Sequence, residues 1–242
     1  MMEKLSKNRC SELANLKQKK YRQKQQLVVL EGQRLLSQMA EYGIQPLEIY
    51  STEGSIVPKY SDIPHFQAEA FQLNRICESQ HPPTLAGLYP LPQPREVDFE
   101  TALYLDHVAD PGNLGTIFRL AAAFSIAAIL LSDESCEISS PKVIRAALGA
   151  VYQIPWRVIP AAELSRINAR IIALDMDGSI KLPDYHPDHQ KTIYVLGSEA
   201  HGISPEIQEM ASATLRIPIS NEMESLNVAI TAGILCYHLY LH

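Results

Sequence analysis

The sequence predicts an α/β protein of two domains, in which a smaller N-terminal α/β domain precedes a C-terminal domain built on a mostly parallel β-sheet. Two observations lead to this prediction. Apolar strand-like segments alternate with helix-compatible segments along the chain of 242 residues, which is the pattern of a sheet covered by helices. A proline-rich stretch at 89–100 interrupts the alternation, so we place residues 1–95 in the first domain and residues 96–242 in the second.

The first domain contains short elements in alternating order. Its basic first segment predicts one helix, because leucines recur there among polar residues. The elements predicted after it are a strand at 27–30, a helix at 32–42, a strand at 47–50 and a helix at 68–78. In the last of these helices Phe71, Ile76 and Cys77 are available for burial, and we expect them to face the core.

The second domain contains apolar segments that predict parallel strands between helix-compatible segments. These segments are 102–105, 127–131, 154–158, 170–174 and 192–196. Ser204 and Pro205 predict the start of a short helix, with serine as the N-cap and proline at the first helical position.

The last helix is predicted at about 225–240 and contains no Asp, Glu, Lys or Arg. A helix that is apolar nearly all the way round is buried on most sides, so we expect it to lie between the domain body and a second subunit of a homodimer. The alternative is a helix buried wholly within one chain.

The distribution of apolar residues and cysteines indicates where in the cell the protein is located. The longest nearly uninterrupted apolar stretch, 121–131, is well short of the roughly 20 residues that cross a bilayer. Basic residues at 17–24 occupy the region where a signal peptide needs its apolar segment. The cysteines are widely spaced without a CxxC pair, which is typical of unpaired thiols in a reducing compartment: Cys10, Cys77, Cys136 and Cys236. We therefore expect a cytoplasmic protein with no membrane span and no metal site.

The charge of the chain is unevenly distributed. The net charge is −6, yet residues 1–34 carry nine basic and three acidic residues, a charge of +6 that leaves −12 for the remainder. Such asymmetry is typical of a basic arm that faces RNA on an otherwise acidic body. A basic, solvated helix with no nucleic-acid partner explains the charge equally well, so charge alone leaves both interpretations open.

The first motif, DHVADPGNLGTIFRLAAAF at 106–124, follows an apolar strand. Asp110 and Pro111 suit a turn into a helix, and the glycines that follow allow another group to approach the backbone closely. Exposed backbone N–H groups at such a turn can hold a phosphate or nucleotide. The glycines do not form GxGxxG, so an ordinary strand-turn-helix connection is about as plausible from this motif alone.

Two further motifs place polar groups beyond strands. In YVLGSEAHGIS at 194–204, Glu199 follows a strand at the edge where parallel sheets bind ligands, although it could also cap the next helix. In LRIPISNEMESLNVAITAG at 215–233, Ser225 and Asn227 combine a hydroxyl and an amide beside Leu226. A helix start would explain that pair equally well.

Taken in order, the three motifs resemble the signature of the SpoU family within the SPOUT methyltransferases. The resemblance rests on NLGTIFR at 113–119, LGSEAHG at 196–202 and IPISNEMESLN at 217–227, and covers roughly residues 100–242. Residues 5–88 resemble the small RNA-binding α/β domain that commonly precedes this catalytic domain. The family pattern is broken at Leu120 and Ser125, where relatives have a small or hydroxylated residue and a glycine, and in RAALGA at 145–150, which lacks a serine.

The resemblance implies a C-terminal domain with a deep trefoil knot that transfers a methyl group from S-adenosylmethionine to a ribose 2′-oxygen of RNA. It assigns these residues to cofactor binding: Leu196, Gly197, Gly202, Ile217, Pro218, Ile219 and Leu226. It assigns these to catalysis: Asn113, Arg119, Glu199, Ser225 and Asn227. We expect Arg119, from its own or the partner subunit, to clamp a phosphate or oxyanion, because a guanidinium is hard to deprotonate.

The basic first domain favours ribosomal RNA slightly over transfer RNA as the partner. Two other classes of protein remain possible from the sequence. One is a non-catalytic RNA-binding or ribosome-assembly protein that keeps the knotted fold, which the motif residues at 113, 119, 199 and 225–227 disfavour. The other is a different α/β enzyme with a nucleotide cofactor, which the absence of a GxGxxG or P-loop motif disfavours.

Overall fold

The computed structural model describes residues 3–55, 63–79, 83–96, 98–188, 190–198, 202–220, 222–223 and 225–242. The chain divides into two compact units, which we describe separately. The first unit comprises the chain up to Gln93 together with Ile138–Tyr152, and the second comprises Pro94–Glu137 and Gln153–His242.

The first unit is an α/β domain with a mixed sheet. Within its described residues the strands follow the order β1-β4-β3-β5-β2, and β5 runs antiparallel to its two neighbours while the other pairs are parallel. The strands are β1 (Glu3–Lys4), β2 (Leu27–Glu31), β3 (Glu48–Ser51), β4 (His65–Gln67) and β5 (Leu85–Pro90). The helices are α1 (Lys7–Asn15), α2 (Lys19–Gln25), α3 (Gln33–Glu41), α4 (Ala70–Ile76) and, from the later part of the chain, α6 (Pro141–Ala146), followed by a 3-10 turn (Ala150–Tyr152).

The basic first segment forms two helices, α1 and α2, rather than the single helix predicted. Arg22 explains the break, because its Nη1 donates hydrogen bonds to the carbonyls of Leu16 (3.0 Å) and Lys17 (2.7 Å) at the end of α1. Its side chain is buried, with 4% exposure. This arginine therefore fixes the fold of the segment and is not part of a basic surface.

Helix α4 faces the core with a different set of residues from the one predicted. Leu73, Ile76 and Cys77 are buried. Phe71, which we expected in the core, is 65% exposed. The reason is helical phase: Leu73 and Ile76 lie three residues apart on one face, and Phe71 falls on the opposite face.

The segment 138–152 contains the RAALGA stretch and packs within the first unit. Val143 and Ile144 of α6 are fully buried, and the helix lies against β2. Arg145 donates to the carboxylate of Glu31, which is 5% exposed and also accepts the backbone N–H of Glu78. A buried carboxylate is stable only when it is paired and hydrogen-bonded, so this ion pair fixes α6 against β2.

The second unit contains a parallel sheet, as the sequence predicts. Within its described residues the strand order is β10-β12-β9-β11-β6-β7-β8, and every neighbouring pair is parallel. The strands are β6 (Thr101–Leu105), β7 (Ala128–Leu131), β8 (Trp156–Val158), β9 (Arg170–Leu174), β10 (Ile180–Lys181), β11 (Thr192–Leu196) and β12 (Ala213–Arg216). The helices are α5 (Pro111–Ala123), α7 (Ala161–Leu164), α8 (Pro205–Met210) and α9 (Val228–Leu241), with a 3-10 turn at Leu182–Asp184.

Helix α8 begins as predicted, with Ser204 as the N-cap residue and Pro205 at its first position. Helix α9 packs against α5, and its buried residues include Ala232 and Leu235. No described helix is long and apolar enough to span a membrane. No disulfide joins the four cysteines, and burial raises the pKa of the Cys236 thiol to about 12, so this group stays protonated at neutral pH.

Candidate functional site

A cleft of about 300 Å³ lies in the second unit at the carboxyl ends of β9, β11 and β12. Ligands of parallel sheets bind at this edge, because loops from several strands meet there. The cleft is lined by six of the seven residues predicted to hold a cofactor: Leu196, Gly197, Gly202, Ile217, Ile219 and Leu226. Pro218 is described but does not line the cleft. Three separate parts of the sequence therefore form one mainly apolar cavity.

The loop after β11 closes tightly on itself at one wall of the cleft. The backbone of Ser198 and that of Gly202 exchange two hydrogen bonds, of 3.1 Å and 2.9 Å. A Cβ atom on Gly197 would lie 2.2 Å from the carbonyl carbon of Gly202 and 2.5 Å from the nitrogen of Ile203. Only glycine fits at position 197, so the backbone itself forms the wall. Glu199 lies outside the described residues.

The end of β9 supplies a carboxylate that sequence reasoning missed. Asp175 lines the cleft, and its backbone N–H donates to the carbonyl of Leu215 (2.9 Å). A Cβ atom on Gly178 would lie 2.5 Å from the backbone of Leu215, so a glycine is required for the turn to reach β12. The sequence feature that could have identified Asp175 is an acidic residue directly after a buried strand, at the edge of the sheet where ligands bind.

The start of α5 places Asn113 beside the start of α9. Asp110 caps α5 by accepting the backbone N–H of Asn113 (2.8 Å), with Pro111 at the first helical position, as the sequence predicts. The Nδ2 of Asn227 donates to the Oδ1 of Asn113 (3.1 Å), although the two residues are 114 positions apart. Asn227 also caps α9 through Ala229, so one amide both begins the helix and links two motifs.

Ser225 lies at the cleft, whereas Arg119 lies outside it. Ser225 is exposed and lines the cleft. Arg119 lies on the exposed side of α5, and the helical rise of about 1.5 Å per residue puts it about 9 Å along the axis from Asn113. Its guanidinium has no hydrogen-bond or ion-pair partner among the described residues. It does not line the cleft, and it is available to an anion from outside the chain.

Two departures from the family pattern have local explanations. Leu120 on α5 faces Gly233 on α9, where even a Cβ atom would lie 3.4 Å from its Cδ1, an ordinary van der Waals distance, so leucine packs there without a clash. Ser125 has a φ of +58°, the backbone region in which glycine is favoured. The two substitutions therefore keep the α5–α9 packing and the turn after α5.

A buried carboxylate, Asp106, supports the site and was not among the predicted residues. It is fully buried directly after β6. Its Oδ2 accepts the backbone N–H of Ser204 (2.7 Å), its Oδ1 lies 2.6 Å from the Nδ1 of His107, and its own N–H donates to the carbonyl of Leu196 (2.9 Å). These bonds hold the loop after β11 against the end of β6.

Asp106→Ala should lower thermal stability and weaken cofactor binding. The change leaves the buried N–H of Ser204 without its acceptor, which costs about 1–3 kcal/mol. The measurement is thermal unfolding with and without S-adenosylmethionine. Asp98→Ala is the control, because the exposed carboxylate of Asp98 contacts Lys191 and the backbone N–H of Phe99 at the surface and should matter little. Equal melting temperatures for the two variants would contradict the assigned role.

The comparison with known families identifies the class of protein. The family model described as SpoU rRNA Methylase matches residues 100–237, more than half of the chain. The chain therefore belongs to the SpoU rRNA methylase family. A second model, the MRM3-like substrate binding domain, matches residues 7–87, the region that resembles a small RNA-binding domain.

Individual relatives agree with this assignment. The chain is 26% identical over 227 residues to the 23S rRNA (guanosine(2553)-2′-O)-methyltransferase of Bacillus subtilis, and the match covers 91% of each protein. It is 32% identical to a solved TrmH-family structure from Porphyromonas gingivalis, with a TM-score of 0.81 over 97% of this chain and 98% of that one. An AdoMet-bound rRNA methyltransferase from Sinorhizobium meliloti, 24% identical, shares the fold with a TM-score of 0.83 over 100% of this chain and 97% of that one.

The prediction of an RNA 2′-O-methyltransferase that uses S-adenosylmethionine is thereby confirmed. An α/β fold with a parallel sheet is confirmed as well. The roles of individual residues stay predictions.

Proposed function

We propose that this chain methylates a ribose 2′-oxygen of ribosomal RNA, with the donor held in the cleft at the carboxyl ends of β9, β11 and β12. The observation that carries this proposal is the convergence of three distant motifs on one site: two of them line the cleft, and the Asn227–Asn113 hydrogen bond joins the third to it. The bacterial relative named above acts on 23S rRNA, which supports ribosomal RNA as the substrate class.

The residues of the cleft fit the cofactor. When bound, S-adenosylmethionine supplies an electrophilic methyl group on a sulfonium sulfur. The absence of a Cβ at Gly197 lets the backbone of Gly202 and Ile203 pack directly against it, so this wall of the cleft is formed by closely packed backbone. Apolar walls from Leu196, Ile217 and Leu226 suit the adenine and the methionine chain. Gly202 and Ile219 also line the cleft, and Pro218, which lies between two lining residues in the sequence, completes the proposed cofactor-binding set.

The polar residues position the ribose. Transfer requires the 2′-oxygen in line with the methyl group and loss of the hydroxyl proton, so alignment provides much of the rate gain. Asn113, Asn227 and Ser225, together with Glu199, form the proposed hydrogen-bond network around the reacting ribose. Arg119 is the proposed clamp for a phosphate, because the guanidinium is a permanent cation whose donors match phosphate oxygens two at a time.

Residues 1–95, of which 1–93 belong to the first unit, are the proposed RNA-binding domain. Its match to a substrate-binding domain and the exposed lysines of α2 support this role: Lys19, Lys20 and Lys24. The C-terminal domain is proposed to contain the trefoil knot of its family. We place the reaction in the cytoplasm, because an enzyme must share a compartment with its RNA and the relative from Bacillus subtilis acts on 23S rRNA.

A homodimer through α9 is the proposed assembly. One side of this helix exposes apolar side chains at helical spacing, with exposures from 37% to 59%: Ile230, Ile234, Tyr237 and Leu241. Such a stripe is covered in a stable protein. Because Arg119 lies on α5, which packs against α9, a partner subunit would approach it, and the arginine would then act in its own or in the partner's site.

Ile230→Glu should convert the dimer into a monomer, because it places a charge at the first position of that apolar stripe. Sedimentation velocity should give twice the chain mass of 27.0 kDa for the wild type and a single chain for the variant. Glu163→Gln, an exposed change on α7, is the control and should remain dimeric. A monomeric wild type would overturn the proposed assembly.

The decisive experiment measures methyl incorporation from labelled S-adenosylmethionine into ribosomal and transfer RNA pools that lack this modification, followed by nucleoside analysis. A labelled 2′-O-methyl nucleoside from the ribosomal pool is the expected result. Label only in the transfer RNA pool would overturn the substrate class. No label in either pool and no cofactor binding would favour a non-catalytic RNA-binding protein that keeps the fold.

A further inference from the structure

Helix α4 of the first unit carries an aromatic ring on its solvent side. Phe71 is 65% exposed, and Asn74 and Arg75, three and four residues later, lie on the same exposed face. The opposite face holds Leu73 and Ile76, which are 0% and 1% exposed and anchor the helix in the core. The phenyl ring is therefore not needed to hold α4 in place.

Two cations lie near the helix that carries the ring. The guanidinium of Arg75, four residues after Phe71 on the same face, is exposed and has no hydrogen-bond or ion-pair partner among the described residues. Lys17, two residues beyond the end of α1, reaches the later part of α4, where its Nζ donates to the backbone carbonyl of Asn74 (3.2 Å). The carboxylate of Glu69 at the start of the helix is already engaged by the backbone N–H of Gln72 in a capping box. The exposed ring thus has one cation on its own face and a second at the later part of the same helix.

This combination fits an unpaired nucleotide better than a protein partner. A flat apolar ring offers a stacking surface to any base, and neighbouring cations neutralise the flanking phosphates. A protein-docking patch needs several hundred Å² of contiguous apolar surface, whereas the ring of Phe71 is bordered by the polar side chains of Asn74 and Arg75.

We propose that Phe71 stacks on an unpaired base of the RNA substrate, and that Arg75 and Lys17 contact the phosphates next to it. The proposal rests on the proposed function, because it takes RNA as the substrate. It adds a single-strand contact on the first unit, on a helix that carries no residue of the methylation site.

The first test uses fluorescence to detect stacking directly. Phe71→Trp places an exposed indole at the face, while the natural Trp156 is buried and gives a constant background. A mixed-sequence single-stranded RNA oligonucleotide should quench the new fluorescence, and the matched RNA duplex should not, because its bases are already stacked. Equal quenching by both probes, or by neither, would overturn the proposal.

The second test separates binding from turnover in the full chain. Phe71→Ala should weaken binding of the unmodified ribosomal RNA by roughly five- to a hundredfold, the range for loss of one base–aromatic stack, and raise KM with little change in kcat. Phe71→Tyr should restore affinity. Arg75→Gln should reduce the dependence of log K on log salt by about 0.7, the contribution of one phosphate contact on a single strand.

Leu47→Ala is the matched control, because Leu47 is an exposed apolar residue of the same unit, at 50% exposure. It should bind RNA like the wild type. An active wild type whose Phe71→Ala variant binds and methylates RNA equally well would overturn this inference alone. A wild type that neither binds nor methylates RNA would overturn the proposed function and this inference with it.

Discussion

Gly197→Ala should abolish binding of S-adenosylmethionine, with a loss of affinity of at least about a hundredfold. The added Cβ would lie 2.2 to 2.5 Å from backbone atoms of Gly202 and Ile203, which no side-chain adjustment can relieve. The loop would have to open, and its two backbone hydrogen bonds at Ser198 would be lost. That loop is a wall of the cleft. The cleft would therefore change shape on that side, and the backbone groups there would be displaced from the cofactor.

Isothermal titration calorimetry with S-adenosylmethionine measures this effect. Gly233→Ala is the matched control, because a Cβ there would meet only the flexible end of Leu120 at 3.4 Å and alanine favours a helix. Circular dichroism should show that both variants are folded. Cofactor affinity within a fewfold of wild type for Gly197→Ala would mean that the loop does not form the binding wall.

Arg119→Ala should lower kcat by about 10² to 10³, the range for removal of one group that stabilises charge in a transition state. The residue is exposed on α5, without a partner among the described residues, so its loss should not unfold the chain. Cofactor affinity should stay unchanged, since Arg119 does not line the cleft. Arg119→Lys should recover only part of the rate, because an ammonium cannot hold two phosphate oxygens at once.

Single-turnover methylation at saturating RNA gives the rate, and calorimetry gives the cofactor affinity. Arg166→Ala, also exposed and in the same unit, is the control and should keep the wild-type rate. Wild-type turnover for Arg119→Ala would remove the arginine from the active site. A mixture of Arg119→Ala and Asn227→Ala chains that regains activity would show that the arginine works across the dimer.

The sequence predicts the parallel sheet well because strand formation and burial leave local signals. The segments at 102–105 and 192–196 are mostly apolar, as is typical of strands buried on both faces, and they pair in register as β6 and β11. The edge of the sheet that carries the cleft follows from the same pattern, because polar residues come directly after these strands. Cleft-lining positions such as Gly197 and Leu226 were predicted through the family resemblance, not through spacing alone.

Features that depend on long-range contacts were missed. The exposure of Phe71 depends on which face of a short helix meets the core, and apolar composition does not fix that phase. The burial of Arg22 depends on a helix end several residues away. Asp106 and Gly178 matter through contacts with residues 98 and 37 positions later, Ser204 and Leu215, which no local window contains.

The grouping of 138–152 with the first unit sets an order of events during synthesis. The ribosome releases most of the first unit early, yet the partner of Glu31 is Arg145, which emerges more than a hundred residues later. Until then the surface of β2 that receives α6 stays open to water. The N-terminal unit therefore reaches its final stability only after β6, α5 and β7 have been synthesised. A deletion of residues 1–93 would expose the buried side chains of Val143 and Ile144 to solvent.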